Sequence, residues 1–195
     1  PEILVVIAIV AMVGTILVLI FTNTLRGSNK SQVLSVIKQN GQAVLESMDK
    51  TVRNSDNVVC PSASNPSRNL VVEKGGIYTR YRFIDPSSTV NGLIQQDSPT
   101  KQTVQGSVPL RIETELEFVS RVCNVSDPMI QPTILTDTNS QTGVSVEIGL
   151  FTRDRSAGFR DQVTISFNLR PGVGAPAVIA GQIDPVSFQT TVQLR

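Results

Sequence analysis

The sequence predicts an α+β chain in which one long N-terminal helix is laid on an antiparallel sheet. Three observations carry this. Residues 3–21 read ILVVIAIVAMVGTILVLIF, an apolar stretch without a charge. The helical pattern then continues, now amphipathic, to about residue 54. Beyond it, apolar residues recur at every second position. The 195 residues leave room for one domain and an appendage. The expected division is an apolar, membrane-spanning helix over 1–25, its amphipathic continuation over 26–56, and a β-domain outside the membrane over 57–195.

The apolar segment comes first. Nineteen residues at 1.5 Å each span about 28 Å, close to the hydrocarbon thickness of a bilayer. A cleaved signal peptide is the competing reading. It fits poorly, because no basic region precedes the stretch and no small-x-small site follows Phe21, while the helical pattern runs on. Glu2 heads the segment, and it is either an interfacial residue or a carboxylate that becomes buried in an assembly. In the second case it needs a cationic partner, since an unpaired buried charge is expensive.

In residues 31–54, Val33, Leu34, Ile37, Val44, Leu45, Met48 and Val52 recur at spacings of three and four, and Gly41 fills the same stripe. Lys38, Gln42, Glu46, Asp49 and Lys50 take the other faces. The stripe is expected to pack against a sheet, with a short coiled-coil seam as the alternative. Gly27-Ser28-Asn29 is a candidate interruption. Without one, residues 2–54 form a rod of about 80 Å.

The β-domain follows. Alternation predicts strands in which Leu110, Ile112, Thr114, Leu116 and Phe118 share one face, as do Val144, Val146, Ile148 and Leu150. The same holds for Val163, Ile165, Phe167 and Leu169, and for Val186, Phe188, Thr190, Val192 and Leu194. Clean alternation means one buried and one wet face, hence antiparallel pairing. Residues 152–161 read as a hairpin turn, and shorter strands are expected at 69–73 and 76–84. Polar or Gly/Pro-rich connections run over 85–107, 124–143 and 171–185.

Composition narrows the chemistry. Seventeen basic and sixteen acidic side chains give +1, so there is no global attraction for polyanions. Histidine is absent, which removes the usual general base and a frequent zinc ligand. Cys60 and Cys123 lack metal-ligand spacing. In an exported chain they form one disulfide, with two buried thiols as the alternative. Gly172-Val-Gly-Ala-Pro-Ala177 matches G-x-G-x-x-A but is expected to lack the helix that would present a phosphate site. Asp137-Thr-Asn139-Ser-Gln141-Thr-Gly143 looks like a calcium loop but is out of register, and reads better as a polar turn. No catalytic constellation, metal site or cofactor is expected, and the chain is read as a non-enzyme.

One strand invites a binding reading. In Gly75-Gly-Ile-Tyr-Thr-Arg-Tyr-Arg-Phe83, inward Ile77, Tyr81 and Phe83 would leave Tyr78, Arg80 and Arg82 on an outer face. Aromatics interleaved with arginines can stack on bases and hold phosphates, so weak DNA contact is one reading. The other is a solvated face paired with the row Glu113, Glu115 and Glu117.

Pro1-Glu2-Ile3-Leu4-Val5-Val6-Ile7-Ala8-Ile9-Val10 resembles the start of type IV pilins and the pseudopilins of type II secretion, and residues 46–54 loosely resemble the helix end of minor pilins. The resemblance implies a pilin-like fold. It also implies a basic leader removed by a prepilin peptidase, and an N-methylated Phe with Thr and Leu ahead of Pro1. Glu2 would match the family acid that pairs with a neighbouring subunit's amine. Ile3, Leu4, Val5, Val6, Ile7, Ile9, Val10, Val13, Ile16, Leu17 and Ile20 would then form the filament-core helix. Leu19 stands where many pilins carry a kinking proline, so local melting in a filament is expected at Gly14 and Thr15. Arg26 and Lys30 lie on the wrong side for the positive-inside rule, and the leader would supply the opposing charge. The partners implied are copies of the chain in a helical homopolymer, other pilins and the assembly platform. The location implied is the inner membrane before assembly and a filament on the bacterial surface after it. Two alternatives are a minor pilin or pseudopilin with a tip, priming, adhesion or DNA-capture role, and a membrane-anchored domain that never polymerises.

Overall fold

A computed structural model describes residues 2–63, 65–104 and 111–194, the side chains of 178 and 179 excepted. Pro1, residues 105–107 of the first long connection and Leu110 lie outside the described residues.

Helix α1 (Glu2–Arg53) runs 52 residues, about 78 Å at 1.5 Å per residue. Gly27-Ser28-Asn29 does not interrupt it. The predicted stripe is the packed one. Ile37, Gly41, Val44, Met48 and Val52 are buried, and Val33, Leu34 and Leu45 pack partly buried beside them.

In chain order there follow β1 (Asn57–Cys60), β2 (Asn69–Lys74), β3 (Ile77–Ile84), β4 (Leu93–Asp97), β5 (Thr103–Val104), β6 (Arg111–Ile112) and α2 (Glu115–Val122). Then come β7 (Thr133–Ile134), β8 (Val144–Asp154), β9 (Gln162–Pro171), α3 (Ala177–Ala180) and β10 (Val186–Gln193). One antiparallel sheet has the order β1-β2-β3-β4-β7 and a second the order β10-β9-β8, while β5 pairs with β6. α1 lies on β10 and β9. The result is an α+β arrangement of a long apolar N-terminal helix followed by antiparallel sheet, and it is pilin-like.

A run of aromatics joins the layers. Phe83 stacks on Phe151 at 4.5 Å between centroids, Phe167 lies 5.9 Å from Phe83, and Phe188 stacks on Phe167 at 5.3 Å. Two glycines make room for it. A Cβ at Gly149 would sit 2.3 Å from the Phe83 ring, and one at Gly41 would sit 2.1 Å from Cζ of Phe188. Rings this large dominate burial energetics, so these contacts set how closely the helix approaches the sheet.

Two predicted strands need correction. Residues 111–118 do not form one strand. After β6, Thr114 caps α2. Its side chain accepts from the Glu117 N–H, and the Glu117 carboxylate accepts from the Thr114 N–H, which makes a capping box. The helix buries Phe118 and Val122, four apart, and leaves Leu116 80 % exposed. Capping and an i, i+4 apolar pair outweigh the alternation. In β8, Val144 and Val146 are buried as expected, but Ile148 and Leu150 are not. The register shifts between Val146 and Ile148, and this bulge turns the inward face over to Gly149, Phe151 and Arg153.

Candidate functional site

Two features stand out: the lower half of α1, and a cluster of charged side chains behind β3.

On the lower half, every large apolar side chain from Ile3 to Leu25 is at least 47 % exposed. All the predicted core-helix residues are among them. Hydroxyls on this half are satisfied within the helix. Thr15 donates to the Met12 carbonyl at 2.8 Å, Thr22 to those of Val18 and Leu19 at 3.0 Å, and Thr24 to that of Ile20 at 2.9 Å. Past its first turn, a helix whose backbone groups and hydroxyls are paired within it suits a surrounding that offers no hydrogen bonds. Among the described residues, α1 alone is long and apolar enough to cross a membrane. Gly14 and Thr15 continue the helix without a break. Glu2 lies in its first turn and makes no ion pair among the described residues.

The cluster behind β3 corrects the binding reading of that strand. Tyr81 and Phe83 do face inward, and the Tyr81 hydroxyl donates to Thr51 Oγ1 of α1 at 2.9 Å. Ile77 instead is 68 % exposed. Arg80 and Arg82 do not line an outer face: they are 0 % and 5 % exposed. Residues 124–128, after α2, fold over them. Arg80 Nε and Nη2 donate to Asp97 at 2.8 and 2.6 Å, and its Nη1 donates to Asp127 at 2.6 Å. Arg82 donates to Asn69 Oδ1 at 2.7 Å, and to the carbonyls of Asp127 at 2.7 Å and Asn124 at 3.2 Å. Arg121 joins from α2, donating to Glu113 at 2.8 Å. Burial acts to lower the Arg80 pKa, but the bonds to Asp97 and Asp127 outweigh it and raise it. Burial and the neighbouring Arg80 charge push Arg82 down. With both guanidiniums enclosed, neither can meet a phosphate.

Tyr78 stays half-buried against Phe118, at 4.6 Å between centroids. It donates to Glu115 at 2.9 Å. Burial first, then this bond, pushes its pKa up to about 12. The acidic row therefore holds Tyr78 through Glu115 and Arg121 through Glu113, and does not pair with Arg80 or Arg82. Cys60 and Cys123 form a disulfide. With Val71, Phe118 and Val122 it makes a second small core under α2.

The other motifs are absorbed structurally. One turn of helix, α3, does follow Pro176, contrary to expectation. The loop amides are nevertheless spent: Val173 N–H donates to Asn91 Oδ1 at 2.8 Å, and Gly174 N–H to the Ser140 carbonyl at 2.8 Å. In the polar turn, Asp137 Oδ1 and Asn139 Oδ1 accept from the backbone N–H groups of Asn139 and Gln141 at 3.0 and 2.9 Å. No group of three or more His, Cys, Asp or Glu able to hold a metal occurs among the described residues.

Sequence reasoning missed Asp97, Asp127, Asn69 and Arg121. The capping signature Thr114-x-x-Glu117 was the legible pointer to α2 and so to Arg121. Nothing local marked the two aspartates. Comparison with protein-family models, curated proteins and solved structures found no match.

Proposed function

We propose that the chain is a structural subunit of a type IV pilus or a related helical filament. The observation that supports this is the contrast within α1. Its upper half is packed into a folded domain, while the rod below it exposes every large apolar side chain. Exposed apolar area on this scale needs an apolar surrounding. Lipid can supply it before assembly, and neighbouring copies of the helix can supply it afterwards. In this reading residues 3–21 exchange lipid for other helices, and Glu2 pairs with the amine of the adjacent subunit. The contact is heterologous, so it extends into a filament rather than closing. The chain's role is then structural rather than catalytic, and its other partners are the assembly platform and related pilins.

The test is Glu2→Ala in the full chain, expressed in its host. Surface filaments lacking the subunit, with the variant retained in the membrane fraction, are expected. Normal incorporation of the variant would end the registration role of Glu2. Absence of the wild-type chain from any filament would leave a membrane-anchored domain that never polymerises.

A further inference from the structure

Between Glu2 and Glu46 the only charged residues are Arg26, Lys30 and Lys38. All three are exposed on α1, and none makes an ion pair among the described residues. Arg26 and Lys30 are four apart, on one face, where like charges repel. A face of one sign with no acid near it is open to an anionic partner from outside the chain.

Depth selects the partner. With residues 3–21 across the hydrocarbon, the helical rise places Arg26 about 8 Å and Lys30 about 14 Å beyond Phe21. The headgroup layer occupies about 5–8 Å on each side of a bilayer, and long side chains lean toward it. Lys38, about 26 Å out, lies beyond a Debye length of about 8 Å. Thr22 and Thr24, between Phe21 and Arg26, turn their hydroxyls back onto the helix. Arg26 is therefore the first charged group a headgroup meets.

We propose that Arg26 and Lys30 form a binding site for the phosphate headgroups of anionic phospholipid, in the leaflet from which α1 emerges. This rests on the reading that residues 3–21 span a bilayer. The Arg26 guanidinium takes a phosphate through two parallel N–H bonds, and Lys30 adds a point charge above it. Each cation near a lipid surface favours anionic over neutral lipid about five-fold. The site holds the subunit at a set height, and extraction of the helix gives it up.

The chain has no tryptophan, so Asn23→Trp places a single tryptophan at the interface, excited at about 295 nm where the two tyrosines do not absorb. The full chain carrying it is reconstituted in vesicles containing brominated phosphatidylglycerol or brominated phosphatidylcholine. Stronger quenching by the anionic lipid is expected, with a preference of up to about twenty-five-fold at low salt. It should collapse at about 1 M salt, where the Debye length is about 3 Å. R26Q/K30Q in the same background should bring the preference near one. K50Q, about 44 Å beyond Phe21, should leave it unchanged. Equal quenching by both lipids removes the site and keeps the spanning helix. No quenching by either removes the spanning reading and the site with it. A preference that survives in R26Q/K30Q overturns the assignment. So does a variant that shows no change in lipid preference but loses cross-linking between subunits, which would make a second copy's acids the partner.

Discussion

Ile16 and Ile37 lie on one continuous helix, yet Ile16 is 51 % exposed and Ile37 is 0 % exposed. Gly14 and Gly41 show the same contrast. A Cβ at Gly14 would meet nothing within 4 Å, whereas one at Gly41 would run into Phe188. The backbone is helical in both halves, so local propensity does not separate them. The upper half is held by tertiary packing on β9 and β10. The lower half is a helix by its own hydrogen bonds and supplies a surface that its own fold leaves uncovered. In the proposed subunit the first half fixes the domain, and the second is reserved for lipid and neighbouring copies.

The widest gap between the halves should come from one substitution made twice. Ile37→Ala should cost the domain about 2–5 kcal/mol, because it empties a fully buried site. Ile16→Ala should leave domain stability within about 0.5 kcal/mol. Urea unfolding of the full chain in detergent, followed by near-ultraviolet circular dichroism, compares them. Equal losses would mean that the lower helix is packed on the domain, and the two-surroundings account would fall.

A smaller effect with a change of sign is expected at the glycines. Gly41→Ala should destabilise by about 1–3 kcal/mol, since Phe188 and the rings behind it must shift. Gly14→Ala should instead strengthen its helix by about 1 kcal/mol, as alanine is the better helix former. Unfolding midpoints report the first, and helical content in detergent reports the second. In filaments, Gly14→Ala also tests the melting expected at Gly14 and Thr15, because a stiffer helix should slow assembly.

The smallest effect separates the halves by acid. Arg111, then the Thr114 N–H and hydroxyl, hold the Glu117 carboxyl down at about 2. A depressed carboxylate adds stability that is fully present above its unfolded pKa of about 4.3. That stability is lost as pH falls through the folded value, because the unfolded chain binds more protons between the two. From pH 4.5 down to about 2, the urea midpoint of the domain should therefore fall. Glu117→Gln should make that slope shallower, with Glu113 and Glu115, also lowered, keeping part of it. Helical content of the lower half should not follow.

Much of this architecture was legible residue by residue. The stripe from Val33 to Val52 needs only a period of 3.6 to be read, and β9 and β10 need only a period of two. The Cys60–Cys123 pairing was the expectation for two cysteines without metal-ligand spacing. Three features were not legible for physical reasons. The β8 bulge is one extra residue with no composition of its own, yet it reverses every inward assignment after Val146. α2 lies in a run that satisfies both periods, and its two helix signals, the capping box and the Phe118–Val122 spacing, are shorter than the alternation that masks them. Alternation along β3 showed that Arg80 and Arg82 share a face but not what covers that face.

Local chemistry along the chain was therefore enough to set the long helix, its apolar and amphipathic halves and most of the sheet, because periodicity and chain-neighbour hydrogen bonds act within a few residues. Whether a face is wet or dry depends on contacts across the chain. Asp97 and Asp127, 17 and 47 residues from Arg80, turned an apparent binding strip into a buried structural clamp. Paired carboxylates are what make an enclosed guanidinium tolerable, and only the folded chain brings them to it.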